Sequence, residues 1–236
     1  MQTLGLIGGT TWESTILYYK RLNELVQEKF GGVYSAPMIL YSVEFNHVLA
    51  LMKQNQWDTL KTELIKIAKD LEQAGAKSLL ICTNTIHKIA DDIQKNIKIP
   101  IINIIDVIAA EVQKRNIKTI GILGTKLTME DPFYTNRFKE KYNITSVVPK
   151  TADRERLDDI IFGDLARGVI EENAKSFCKR LIDEFEQQGA ECVILGCTEL
   201  PLLISQQDVK LLVIDSLELH INAGFQFMIQ NAGNKI

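Results

Sequence analysis

Short aliphatic and β-branched runs alternate along this chain with longer stretches in which apolar residues recur every three or four positions. The short runs predict strands at 3–7, 38–43, 78–82, 99–103, 119–123, 145–148, 192–195 and 211–214. The amphipathic stretches predict helices at 13–29, 56–74, 85–96, 106–115, 131–141, 154–167, 171–188 and 216–230. Gly75 and Gly189 each close such a stretch just before a strand, as helix C-caps do. Strand–helix alternation at this spacing predicts an α/β protein built on parallel sheets flanked by helices. No Ser/Gly-rich linker or low-complexity tract interrupts it.

Two signals recur in the same order. Gly5-Leu6-Ile7-Gly8-Gly9-Thr10 resembles Gly121-Ile122-Leu123-Gly124-Thr125, and Leu80-Ile81-Cys82-Thr83-Asn84-Thr85 resembles Leu195-Gly196-Cys197-Thr198-Glu199. Thr10 and Thr83 stand as far apart as Thr125 and Thr198, and a Gly-Ala pair precedes the second signal each time, at Gly75-Ala76 and Gly189-Ala190. This predicts two pseudosymmetric lobes, each a parallel sheet flanked by helices, with an active site in the cleft between them. The N-terminal lobe is expected over 1–103, completed by a C-terminal helix in 216–236, and the C-terminal lobe over 104–215. Chance recurrence of strand–turn–helix units is the plain alternative.

Composition narrows the function. Hydrophobic residues make up 46%, enough for a substantial core. A net charge of −3, without blocks of like charge, argues against a nucleic-acid partner. No apolar run is long enough for a membrane span, and the first residues lack the basic start of an export signal. Four cysteines without a Cys-x-x-Cys pair and three scattered histidines argue against a metal site. Free thiols fit a cytoplasmic protein.

The repeated signals all fall at the carboxyl ends of predicted strands, where parallel sheets bind ligands. Glycines let backbone approach a ligand, and helix N-termini favour anions such as an α-carboxylate. Facing lobes would set Thr83 and Cys197 on opposite sides of one small molecule, the geometry needed to remove a Cα proton from one face and return one to the other. A thiol near its reference pKa of about 8.5 suits that task, and a helix N-terminus would favour the thiolate. A buried core cysteine and a capping threonine are the plain alternatives for Cys197 and Thr83. Gly9, Thr10, Asn84, Thr85, Thr125, Thr128, Thr198 and Glu199 are the candidate substrate-binding residues. Turn and cap chemistry alone would also explain the threonines.

These residues resemble the aspartate/glutamate racemase family over nearly the whole chain: G-L-I-G-G-T-T-W-E-S-T at 5–15, C-T-N-T-I-H-K at 82–88, G-I-L-G-T-K-L-T-M at 121–129 and I-L-G-C-T-E-L-P at 194–201. The resemblance implies two α/β lobes, no pyridoxal phosphate, metal or other cofactor, an amino-acid substrate and a homodimer. It also implies one catalytic residue per lobe, Thr83 and Cys197, with the C-lobe cysteine acting on the L-isomer.

The chain departs from the usual family pattern twice. Most members carry Cys-Asn-Thr-x-His in the N-lobe, which sets the cysteine at Thr83, with Cys82 one residue upstream and pointing to the opposite face. The chain looks most like the subset with a Thr/Cys pair. Aspartate-specific members also place an Arg soon after the second strand, and 44–52 contains none. The expected reaction is racemisation of aspartate or glutamate with an L-isomer preference. The alternatives are a decarboxylase or cis-trans isomerase of the same superfamily, or a non-catalytic amino-acid-binding protein.

Overall fold

The computed structural model describes residues 1–163, 165 and 169–230. The chain divides into two compact units, one of Met1–Asn103 with the chain from His220 onward, the other of Ile104–Leu219. The boundary falls inside the last helix, a few residues beyond the expected position.

In the first unit, β1 (Leu4–Gly8), β2 (Met38–Ser42) and β3 (Ser78–Ile81) form a parallel sheet in the order β2-β1-β3. The helices are α1 (Trp12–Phe30), α2 (Phe45–Lys53), α3 (Trp57–Gln73) and the short α4 (Ala90–Gln94), the last preceded by a 3-10 segment, Thr85–Ile89. Leu60, Leu64 and Leu71 of α3 pack with Ile7, Leu79 and Ile81 of the sheet in one apolar core.

The second unit holds α5 (Ile104–Lys114), β4 (Thr119–Gly124), α6 (Lys126–Glu130), α7 (Pro132–Asn136), β5 (Thr145–Val147), α8 (Thr151–Gly163), α9 (Glu172–Gln187), β6 (Cys192–Gly196) and β7 (Leu212–Asp215). Its strands run parallel in the order β5-β4-β6-β7. Leu181 and Phe185 of α9 and Ile108 of α5 join Ile122 and Ile194 in its core. Helix α10 (Ser216–Ile229) starts there and runs on into the first unit. A Cβ at Gly224 would lie 2.7 Å from a Leu80 methyl, so a larger residue there would force the buried Leu80 side chain to shift.

The internal repeat is visible in these topologies. In both units the first strand lies between the second and third. The helix before the third strand ends with the same bond, Ala76 N to Leu71 O and Ala190 N to Phe185 O, around a left-handed glycine. The next residue bonds back beside the first strand, Lys77 N to Thr3 O and Glu191 N to Thr119 O.

Several elements differ from expectation. The strand at 99–103 is reduced to one bridge, Leu79 to Ile101. Ile102 N still donates to the Leu79 carbonyl, but Pro100 has no N–H to continue the pairing, and Glu72 and Gln94 accept from Lys98, Ile99 and Ile101. Helix α2 was not expected, because its cap is Glu44, whose carboxylate accepts from the Asn46 and His47 N–H groups. Residues 131–141 divide into α7 and a π-helical turn, Arg137–Lys141. Of the expected extension of α8 to Arg167, only Leu165 is described, in a 3-10 conformation; the rest, like the chain beyond 230, lies outside the described residues. Among those residues, no helix is long and apolar enough to cross a membrane.

Candidate active site

In the first unit the turns after β1 and β3 lie side by side, because those strands are paired in parallel. The β1 turn passes through Gly9 at φ +89°, and a Cβ there would lie 2.3 Å from the Val43 carbonyl oxygen. Gly9 N donates to Thr15 Oγ1 at 2.8 Å, which ties the turn to the first turn of α1. Thr10 is buried, and its Oγ1 has no hydrogen-bond partner. An orphaned hydroxyl beside a 19-residue helix whose N-cap, Thr11, makes no side-chain cap bond is chemically suited to donate to an anionic group.

Past β3, Thr83 is half-buried, Asn84 buried and Thr85 half-buried. Cys82 is fully enclosed; its thiol points toward the Leu80 carbonyl at 3.9 Å, and burial pushes its pKa far up. It is a core residue. The expected α-helix from Thr85 opens instead as a 3-10 segment. His87 N donates to Asn84 O, and the Thr83 carbonyl accepts from His87 Nδ1 at 2.8 Å.

In the second unit, Cys197, Thr198 and Glu199 follow β6, beside the turn after β4. All three are buried. Cys197 Sγ–H donates to Glu199 Oε2 at 3.0 Å, and Thr198 Oγ1–H donates to the same oxygen at 2.7 Å. Burial raises the Cys197 pKa well above the ordinary thiol range, and the adjacent Glu199 charge raises it further. The resting group is therefore a thiol. This corrects the expectation of thiolate character, whose premise also fails: only a three-residue 3-10 turn, Leu200–Leu202, follows Cys197, too short for a helix dipole.

Thr125 caps α6, accepting from Thr128 N, and its hydroxyl pairs with that of Thr128 at 3.1 Å. Thr128 is fully buried, packed against Gly124 and Gly196, so capping and packing account for the contacts of both threonines. Sequence reasoning missed three residues around this turn. Asp158 of α8 accepts from Lys126 N at 2.6 Å, and its charge adds to the rise of the Cys197 pKa; burial raises its own. Tyr134 lies under Gly196, where a Cβ would stand 3.6 Å from its hydroxyl. Ser216 Oγ donates to the Leu195 carbonyl at 2.6 Å and anchors the end of β6. None carries a motif that marks it in sequence. Among the described residues, no group of three or more His, Cys, Asp or Glu is arranged to hold a metal ion.

Strand register decides which positions of the repeat are equivalent. Ile7 pairs with Ile81, so the next step sets Gly8 beside Cys82; in the other unit Gly124 pairs with Gly196. Cys82 is thus the counterpart of Gly196, and Thr83 the counterpart of Cys197. Matching the motifs by letters and equal separation sets Thr83 against Thr198, and the register corrects that by one residue. Asn84 then corresponds to Thr198 and Thr85 to Glu199.

The chain is similar to known proteins. A candidate Asp/Glu racemase from Yersinia pestis is 40% identical, with a TM-score of 0.93 over 98% of this chain and 100% of its own. An aspartate racemase homologue from Pyrococcus horikoshii OT3 is 41% identical, with a TM-score of 0.85 over 97% of this chain and 99% of its own. The broad specificity amino-acid racemase RacX of Bacillus subtilis (strain 168) is 21% identical over 90% of this chain and 92% of its own length. The family model for Asp/Glu/Hydantoin racemase matches residues 7–224, and the chain belongs to that family.

Proposed function

We propose that this protein is an amino-acid racemase for aspartate or glutamate that works without a cofactor. Cys197 acts on one face of Cα and Thr83 on the other. The observation that carries this reading is the register equivalence of Thr83 and Cys197, with the Cys197 thiol already bonded to a buried carboxylate. A repeated scaffold that presents one proton-bearing group at the same position in each copy suits a reaction that is itself nearly symmetric.

The proton balance runs as follows. Cys197 passes its proton to Glu199 and, as thiolate, takes the Cα proton of the L-isomer. The Thr83 hydroxyl gives its proton to the opposite face, forming the D-isomer. Through solvent, the proton held on Glu199 replaces the one Thr83 has lost. The α1 N-terminus and the Thr10 hydroxyl receive a substrate carboxylate. The active form is a homodimer, which sedimentation reads directly.

The test is Cα hydrogen exchange in D₂O with L- and D-aspartate and L- and D-glutamate, followed by NMR and chiral chromatography. Exchange and inversion with at least one acidic amino acid are expected, and both are lost in Cys197→Ala. Binding without exchange for all four would leave an amino-acid-binding protein. A second reading rests on the resting thiol: a protonated cysteine is also what a decarboxylase needs to protonate its carbanion. Release of CO₂ from an arylmalonate, without Cα exchange of amino acids, would select it.

A further inference from the structure

We infer that His87 is the positioning residue for Thr83, holding its turn through the Thr83 carbonyl, and that His220 and Tyr18 lock His87 in place. The inference rests on the reading of Thr83 as the proton donor. In an α-helix the Thr83 carbonyl would accept from the backbone N–H of His87, four residues on. Here that N–H turns to Asn84 O, and the imidazole Nδ1–H takes the carbonyl instead, at 2.8 Å. One side chain has replaced a backbone bond at the residue that does the chemistry, and it sets the peptide plane from which the Thr83 hydroxyl projects.

The ring itself is held. His87 lies edge-on to His220, with centroids 5.6 Å apart and planes at 70°. His220 is fully buried and has both nitrogens engaged: Nε2–H donates to the Ile102 carbonyl at 2.7 Å, and Nδ1 accepts from the Tyr18 hydroxyl at 2.7 Å. Those bonds fix its tautomer and its plane. Tyr18 comes from α1, His220 from α10 and Ile102 from the segment beside β3, so three separate parts of the unit converge on one turn. Satisfied buried polar networks rigidify what they hold. A hydroxyl is a weak acid, and a proton transfer from it depends on exact placement; an error of about 1 Å costs on the order of 10²-fold in rate.

The experiment separates the two faces. L-substrate in D₂O exchanges with retention through Cys197 alone, whereas inversion needs both groups. His87→Leu is expected to cut inversion by about 10²-fold while exchange with retention on the L-isomer persists. His87→Asn keeps a donor near the Nδ1 position and should restore most of the inversion. Tyr18→Phe frees one nitrogen of His220 and should lower inversion by a smaller factor, again sparing retention. Equal loss of both signals in His87→Leu, with no recovery in His87→Asn, would show a merely structural role and overturn the inference. Unchanged inversion in His87→Leu would overturn it too. Thr83→Ala distinguishes the underlying reading: inversion that survives Thr83→Ala removes Thr83 from the reaction, whereas inversion lost there but intact in His87→Leu removes His87 only.

Discussion

Glu199→Gln tests whether the carboxylate beside Cys197 is a proton acceptor or only a neighbour. Glutamine keeps the shape and can still accept from Thr198, so the change removes charge and little else. Two effects oppose each other. A thiolate and a carboxylate 3.0 Å apart repel by about 5 kcal/mol at an effective dielectric of about 20. Removing the charge must therefore lower the Cys197 pKa, although burial, the larger cause of its rise, remains. The variant also loses the group that takes the thiol proton, and acid–base groups of this kind contribute about 10²–10⁴-fold. At neutral pH the second effect wins, because the thiol remains protonated with no internal acceptor. Cα exchange of the L-isomer should fall by about 10²-fold or more and then recover with rising pH, since bulk base must now make the thiolate. Iodoacetamide alkylation of Cys197 against pH should show its titration at lower pH in the variant than in the natural protein. Exchange at pH 7 within about threefold of the natural protein would refute the acceptor role. An alkylation profile that does not move would refute the electrostatic account of the raised thiol.

Thr83→Cys gives the second turn a group that can ionise, so Cα exchange from the D-isomer should rise at least about tenfold; an unchanged rate would mean that the hydroxyl does not limit that face. Burial pushes the His220 pKa from 6.5 to about 3, so its contribution to stability is complete above pH 6.5 and is lost as pH falls toward 3. The expected loss is about 1.4 kcal/mol per pH unit below 6.5, read from urea midpoints at pH 7 and 5, and His220→Asn should flatten that slope. Gly9→Ala forces a side chain into a left-handed turn and onto Val43. It should destabilise by about 1–3 kcal/mol and abolish exchange, checked by thermal melts beside the D₂O assay.

The hydrophobic pattern made most strands and long helices legible, because each buries one face in a core and burial leaves a period in the sequence. What it missed was held by side-chain bonds that leave no period. Glu44 caps α2 although glutamate is not a favoured cap, and the 97–101 stretch is tied by Glu72 and Gln94 side chains, with Pro100 lacking an N–H for further strand pairing. The motifs placed Thr83, Cys197 and the glycine turns at strand ends, but the letters of the internal repeat alone set Cys82 against Cys197. The family motif around Asn84-Thr85-Ile86-His87 and the hydrogen-bonded register agree instead in making Thr83 the counterpart of Cys197. The protonation state of Cys197 was illegible for a different reason: it depends on depth of burial and on where a carboxylate two residues away turns its oxygens.

The register also explains why the two copies of one turn should differ in rate. Glu199, the proposed acceptor for the Cys197 proton, corresponds to Thr85, so the turn that carries Thr83 has no carboxylate at that position. His87 corresponds to Pro201, which has no donor, so the turn that carries Cys197 has nothing like the imidazole bond to the Thr83 carbonyl. One turn pairs a thiol with a base and so is equipped to take a proton. The other fixes a hydroxyl in place and is equipped to give one. On the proposed mechanism, deprotonation should be faster from the Cys197 face, with reprotonation left to Thr83. Equilibrium forbids a one-way racemase, so the asymmetry must be carried by the individual rates and affinities for the two enantiomers. That makes the ratio of retention to inversion, measured separately from each isomer, the quantity in which the divergence of the two repeats becomes visible.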